Sequence, residues 1–87
     1  MEPIRVLLAD DQALLRAGFA MMLSVEDEIE VVGQAANGAE AVEFAAAHPV
    51  DIILMDVQMP EMNGLDATRA IRALDNEWAR SIPIVAM

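Results

Sequence analysis

The feature that most constrains the fold is a regular alternation of short apolar runs with segments of helical periodicity. The apolar runs are rich in Ile, Val and Leu, which favours strands, and they cover 4–9, 29–35, 51–56 and 82–87. The predicted helices lie between these runs, over 12–24, 37–47 and 65–74. The order β-α-β-α-β-α-β predicts an α/β fold, a doubly wound sheet of parallel strands joined by right-handed crossovers.

Local signals sharpen these predictions. Asn37 followed by Glu40 is typical of a helix start, and Pro49 indicates where that helix has ended. The run 51–56 is apolar throughout its centre rather than alternating, which is typical of a strand covered on both faces. The stretch 75–81 is predicted to be a simple connection.

Composition limits the classes of function. The 87 residues suffice for one small domain, and a hydrophobic content of 56% argues against disorder. The net charge of −10 argues against binding to nucleic acid or to an anionic membrane surface. Without cysteine there are no disulfides, and no run approaches the roughly 18 apolar residues of a membrane span. A location in the cytoplasm is therefore expected.

Three aspartates stand at the carboxyl ends of predicted strands. Asp10 and Asp11 come after the first strand, and Asp56 comes after the apolar centre of the third. If these strands are neighbours, as in the doubly wound order 2-1-3-4-5, all three carboxylates meet where the winding changes direction. A cluster of oxygen ligands suits Mg²⁺. The alternative for the adjacent pair is that it caps the first helix, but Asp56 favours a metal site.

A carboxylate beside such an ion can attack phosphorus and form an aspartyl phosphate. Asp56 is the best candidate for the nucleophile, because it stands at the tip of a buried strand. Asp10 and Asp11 would then hold the ion.

Two segments carry a family resemblance. They run from Val6 to Asp11 and from Leu54 to Gly64, and contain the acidic pair, a Met-Asp strand end, a Met-Pro pair and an Asn-Gly pair. This combination resembles the receiver domain (CheY-like) of two-component response regulators, whose fold is flavodoxin-like. The resemblance covers the whole chain, so 1–87 is interpreted as the N-terminal portion of a single receiver domain.

The resemblance implies roles for individual residues. Asp56 would be the phosphoacceptor, and Mg²⁺ would be held by Asp10, Asp11, Asp56 and the backbone carbonyl of Gln58. The loop after the third strand would be supported by Met59, Pro60 and Gly64. The phosphodonor would be a sensor histidine kinase, and the domain would be a signalling module rather than an enzyme.

The chain also departs from the family pattern. Receivers end their fourth strand with Ser or Thr and their fifth with Lys, whereas this sequence ends at Met87 and contains no Lys. We therefore expect a truncated receiver with weak phosphorylation and poor switching. The first half resembles receivers of LuxR-type transcriptional regulators and the second half those of hybrid sensor kinases, so a natural or engineered chimera is a further hypothesis.

Two other functions fit parts of the pattern. A Mg²⁺-dependent phosphohydrolase with an aspartyl nucleophile would use the same acids, although its usual Asp-x-Asp and later Lys are missing. A self-assembling structural βα fragment is the other. An uncovered apolar side of the first helix, around Leu15, Phe19 and Met22, and an open edge at the fourth strand predict a dimer or strand-exchanged oligomer.

Overall fold

A computed structural model describes residues 2–59, 62–74 and 76–86 of the chain. The strands in this part are β1 (Ile4–Ala9), β2 (Ile29–Ala35), β3 (Ile52–Met55) and β4 (Ile84–Ala86). The helices are α1 (Ala13–Ser24), α2 (Gly38–Ala47), α3 (Gly64–Arg72) and α4 (Glu77–Ser81).

The four strands form one parallel sheet in the order β2-β1-β3-β4. Strand β1 therefore has β2 on one side and β3 on the other, and the winding of the chain changes direction between β1 and β3. This topology confirms the predicted flavodoxin-like doubly wound fold. Ala9 at the end of β1 pairs with Met55 at the end of β3, which puts the residues after both strands at one edge of the sheet.

The core forms where the central strands meet α2 and α3. Leu7 on β1, Ile53 on β3 and Ile71 on α3 are completely buried, as are the small residues Ala41 and Ala45 on α2. Small side chains on α2 allow a close approach of the helix to its neighbours. In β3 the buried positions alternate with half-buried ones, so one face is covered completely and the other only in part.

Helix α1 presents an uncovered apolar face. None of its residues is buried, and Leu14, Met21 and Met22 are 88%, 73% and 67% exposed. Leu15 is exposed and Phe19 half-buried, which confirms the prediction of an open apolar side on this helix. Among the described residues, none of the helices is both long and apolar enough to cross a bilayer.

The interpretation of 75–81 as a plain connection is wrong, because Glu77–Ser81 forms α4. Asn76 caps this helix, its side-chain oxygen accepting a hydrogen bond from the Ala79 N–H at 2.7 Å. The indole N–H of Trp78 donates to the backbone carbonyl of Ala45 at 2.7 Å and anchors α4 to the end of α2. A cap and one anchored aromatic side chain suffice to order a single turn.

Strands β1 and β2 have the predicted bounds, and the remaining boundaries differ from the predictions by no more than two residues. Strand β4 begins at Ile84 rather than 82, because Ile82 terminates α4 and Pro83 has no N–H for the ladder. Helix α3 begins at Gly64, one residue early, since Asn63 caps it by accepting from the Asp66 N–H at 2.9 Å.

Candidate metal centre

The carboxyl edge of the sheet brings three acids together. The N–H of Asp56 donates to the carbonyl of Ala9 at 2.9 Å, which continues the pairing of β1 and β3 one residue beyond the strands. Asp10 and Asp56 consequently leave adjacent strand ends side by side. One carboxylate oxygen from each of Asp10, Asp11 and Asp56 lies within 4.8 Å of the other two.

The three side chains differ in exposure and in their backbone partners. Asp10 is buried, with 4% of its surface exposed, whereas Asp56 is half-buried and Asp11 is exposed. Oδ1 of Asp10 accepts from the Gln12 N–H at 2.9 Å, and Oδ1 of Asp56 accepts from the Gln58 N–H at 3.1 Å. Each of these two carboxylates is thus oriented through its Oδ1 by a backbone N–H two residues further along the chain.

The donor set fits a hard cation. All three groups are carboxylates whose oxygens converge to within 4.8 Å of one another, and one is buried, where a negative charge is costly unless a cation lies nearby. The described ion pairs, Arg5–Asp51 and Arg69–Asp66, involve other acids. The residues present therefore fit Mg²⁺ better than a softer transition metal.

Sequence reasoning did not identify Arg16, which lies one turn into α1. Its guanidinium donates through Nη1 to the backbone carbonyl of Asp10 and so ties the helix to the loop that carries the acids. Its Nε is buried and has no hydrogen-bond partner in the described part of the chain. The only signal in the sequence was its place six residues after Asp10.

The loop after β3 packs tightly against the phosphoacceptor candidate. Gly64 is buried, its N–H donates to the carbonyl of Val57 at 2.9 Å, and a Cβ on it would lie 2.6 Å from the carbonyl oxygen of Asp56. Met59 is buried at 8% exposure and Gln58 is exposed. Pro60 lies outside the described residues. The roles expected for these residues remain predictions.

The fourth acid of interest, Asp51, is at the opposite end of β3. Its carboxylate accepts from the backbone N–H of Arg5 at 2.8 Å and forms an ion pair with the Arg5 guanidinium at 3.1 Å. The hydrogen bond from this guanidinium lowers the pKa of Asp51 below its ordinary value. Asp51 therefore joins β1 to the start of β3 and is separate from the metal centre.

The comparison with protein families agrees with this geometry. The model of the response regulator receiver domain matches residues 6–87.

The chain belongs to this family.

This receiver domain matches only part of the length of its curated relatives. PdtaR, a transcriptional regulatory protein of Mycobacterium tuberculosis, is 45% identical over 85 residues, which are 98% of this chain and 38% of that protein. The protein-glutamate methylesterase/protein-glutamine glutaminase of a Nocardioides species is 42% identical over 85 residues. That match covers 98% of this chain but only 22% of the relative's length.

Solved structures show the same fold. The receiver domain of the sensor histidine kinase PA1611 from Pseudomonas aeruginosa, described with a magnesium ion coordinated in the active site cleft, matches with a TM-score of 0.85 and 33% identity. That match covers 97% of this chain and 66% of the other. A LuxR-family response regulator from an Aurantimonas species matches with a TM-score of 0.86 and 29% identity, over 98% and 58% of the two chains.

Proposed function

We propose that this receiver domain accepts a phosphoryl group on Asp56 in a Mg²⁺-dependent reaction. The observation that carries the proposal is the convergence of three carboxylate oxygens within 4.8 Å at the switch point between β1 and β3. Ligands of open parallel sheets bind at such a point.

Different residues of the site would bind the metal and attack the phosphoryl group. Asp10, Asp11, Asp56 and the carbonyl of Gln58 would hold Mg²⁺, which when bound neutralises charge on the phosphoryl oxygens. An oxygen of Asp56 attacks phosphorus, and the bond from phosphorus to the donor breaks as the donor leaves with the electron pair. Asp56 is suited to this role because its backbone N–H is fixed to Ala9 and its Oδ1 to the Gln58 N–H.

The phosphodonor is proposed to be a sensor histidine kinase in the cytoplasm. Support comes from the family and from the PA1611 neighbour, which is itself part of a sensor histidine kinase. The net charge of −10 disfavours direct contact of this domain with nucleic acid. The domain itself would be a phosphoacceptor and not an enzyme.

Phosphorylation by a small donor tests this function. We expect a detectable but minor fraction of the wild-type protein, incubated with Mg²⁺ and acetyl phosphate, to gain the mass of one phosphoryl group, because the chain contains no Lys, and EDTA to prevent the gain. Asp56→Asn should gain nothing, whereas Asp51→Asn, which changes the same residue type at the opposite end of β3, should behave as wild type. A wild-type mass that stays unchanged would refute the proposal. Repeated hydrolysis of a phosphate ester would instead support the phosphohydrolase alternative.

We further infer that a second copy of this chain covers the apolar face of α1. Leu14, Met21 and Met22 on this face are exposed. The helix also contains no acidic residue, although the net charge of the chain is −10. Two copies can approach there with the least charge repulsion while burying apolar surface. The edge strand β4, with Val85 45% exposed, offers a second route through strand pairing.

Sedimentation equilibrium tests this association. We expect a concentration-dependent dimer for the wild type and a monomer for Met22→Glu, which places a charge in the apolar face. Glu43→Gln on the exposed side of α2 is a control that should leave the dimer intact. A compact wild-type monomer at high concentration would exclude the association.

A further inference from the structure

The start of α2 touches the loop that follows the phosphoacceptor, and Gly38 makes the contact. Gly38 is the first residue of α2 and is buried, and its N–H donates to the carbonyl of Met62 at 2.9 Å. A Cβ on Gly38 would lie only 2.1 Å from that carbonyl oxygen and 2.8 Å from its carbon. The obstacle is backbone, which cannot rotate aside as a side chain can, so this contact requires glycine.

The helix side of the contact is rigid. Asn37 accepts through its side chain from the Glu40 N–H at 2.9 Å, which is an N-cap, and the Glu40 carboxylate accepts from the Ala36 N–H, just before the cap, at 3.0 Å. One and two turns further on, Ala41 and Ala45 are completely buried in the core. The first turn of α2 therefore has little freedom to retreat from the loop.

The loop side leads directly to the acid pocket. Met62 is two residues before Gly64, and Gly64 packs on the carbonyl of Asp56 so closely that a Cβ would approach it to 2.6 Å. The N–H of Gly64 donates a hydrogen bond to the carbonyl of Val57, the residue after Asp56. A displacement of Met62 is therefore passed through Gly64 to the backbone that carries the Asp56 carboxylate.

We propose that Gly38 is a positioning residue for the phosphoacceptor site: by admitting the Met62 carbonyl against the start of α2, it fixes the loop that orients Asp56 and Gln58. This inference deepens the proposed function and rests on it. The contact also connects α2 to the metal centre, so a conformational change at the pocket should displace the start of that helix.

Gly38→Ala is the direct perturbation. The new Cβ and the Met62 oxygen must separate by roughly 1 Å or more to reach the ordinary contact distance of 3.4 Å. Groups that orient metal ligands typically affect metal affinity by 10–100-fold, so we expect the Kd for Mg²⁺ to rise about tenfold in a calorimetric titration. Phosphorylation of Asp56 by acetyl phosphate should slow at the same time.

Two other glycines provide matched controls. In Gly33→Ala, on β2, the Cβ would meet the ring of Phe44 at 2.4 Å, so the variant crowds a side chain of α2 that lies away from the Met62 contact. In Gly18→Ala, on α1, the Cβ meets nothing within 4 Å. Both should bind Mg²⁺ as wild type does at equal folded fraction. If Gly38→Ala binds Mg²⁺ no worse than Gly33→Ala, Gly38 has no positioning role.

A measurement on the wild type needs no variant to fold. On addition of Mg²⁺ we expect the NMR amide resonance of Gly38 to shift together with that of Gly64, while that of Gly18 stays in place. A stationary Gly38 resonance, with Gly64 shifting, would overturn the inference and leave the proposed function intact. If no resonance responds and calorimetry shows no binding, the proposed function itself fails.

Discussion

Replacing Asp56 by Asn should stabilise the protein when no metal is present. The carboxylate oxygens of Asp10, Asp11 and Asp56 lie within 4.8 Å of one another, so three negative charges repel across three pairs. The change removes the charge from two of these pairs. An Asn side chain still has an oxygen that can accept from the Gln58 N–H, so the local hydrogen bond is kept.

The magnitude follows from the separation. Two unit charges 4.8 Å apart repel by about 0.9 kcal/mol in water, and by more where the surroundings are less polar. With two pairs relieved and with partial screening by solvent and salt, the free energy of unfolding should rise by about 1–2 kcal/mol at low ionic strength. For a domain of this size that corresponds to a rise in Tm of roughly 5–10 °C.

Thermal unfolding followed by circular dichroism in EDTA and low salt is the assay. The advantage of Asp56→Asn should shrink as salt is added, and Mg²⁺ should stabilise the wild type but not the variant. Asp51→Asn loses a favourable ion pair with Arg5 and should not be stabilised. An Asp56→Asn protein that is less stable than the wild type in EDTA would show that repulsion among the three carboxylates does not destabilise the fold.

Three further predictions concern the scaffold. Ile71→Ala removes a completely buried side chain and should cost about 2–5 kcal/mol, measured as a lower urea midpoint; an unchanged midpoint would place Ile71 outside the core. Because Arg5 lowers the pKa of Asp51, their pair stabilises the fold above the unfolded-state pKa of about 3.9, and this contribution is lost as the pH falls through the folded pKa. Arg5→Met should therefore reduce stability at neutral pH and weaken its decline below about pH 4; equal pH profiles would contradict this. Trp78→Phe leaves the Ala45 carbonyl without its indole donor and should cost about 1 kcal/mol in thermal unfolding, whereas no loss would show that the bond does not anchor α4.

Much of the fold was accessible from local signals. The strands are apolar and rich in β-branched residues, and parallel order followed from their alternation with helices, so the meeting of Asp10 and Asp56 at one edge could be expected. The helix start at Asn37 was also predicted, and the structure confirms the cap, because the Asn37 side chain accepts from the Glu40 N–H.

The sequence was less informative where contacts between distant segments decide the outcome. Helix α4 depends on Trp78 reaching a carbonyl 33 residues away, and the roles of Arg16 and Gly38 depend on backbone carbonyls that no side-chain pattern encodes. A glycine beside Asn37 fits a simple turn or cap as well as a close backbone contact. Only the packed structure distinguishes these readings.

Calorimetric titration with MgCl₂ measures whether Asp10, Asp11 and Asp56 form one magnesium pocket. We expect one bound ion per wild-type chain and greatly weakened binding in Asp10→Asn, Asp11→Asn and Asp56→Asn, with Asp51→Asn binding as the wild type. Wild-type affinity retained by any of the three pocket variants would contradict a shared site.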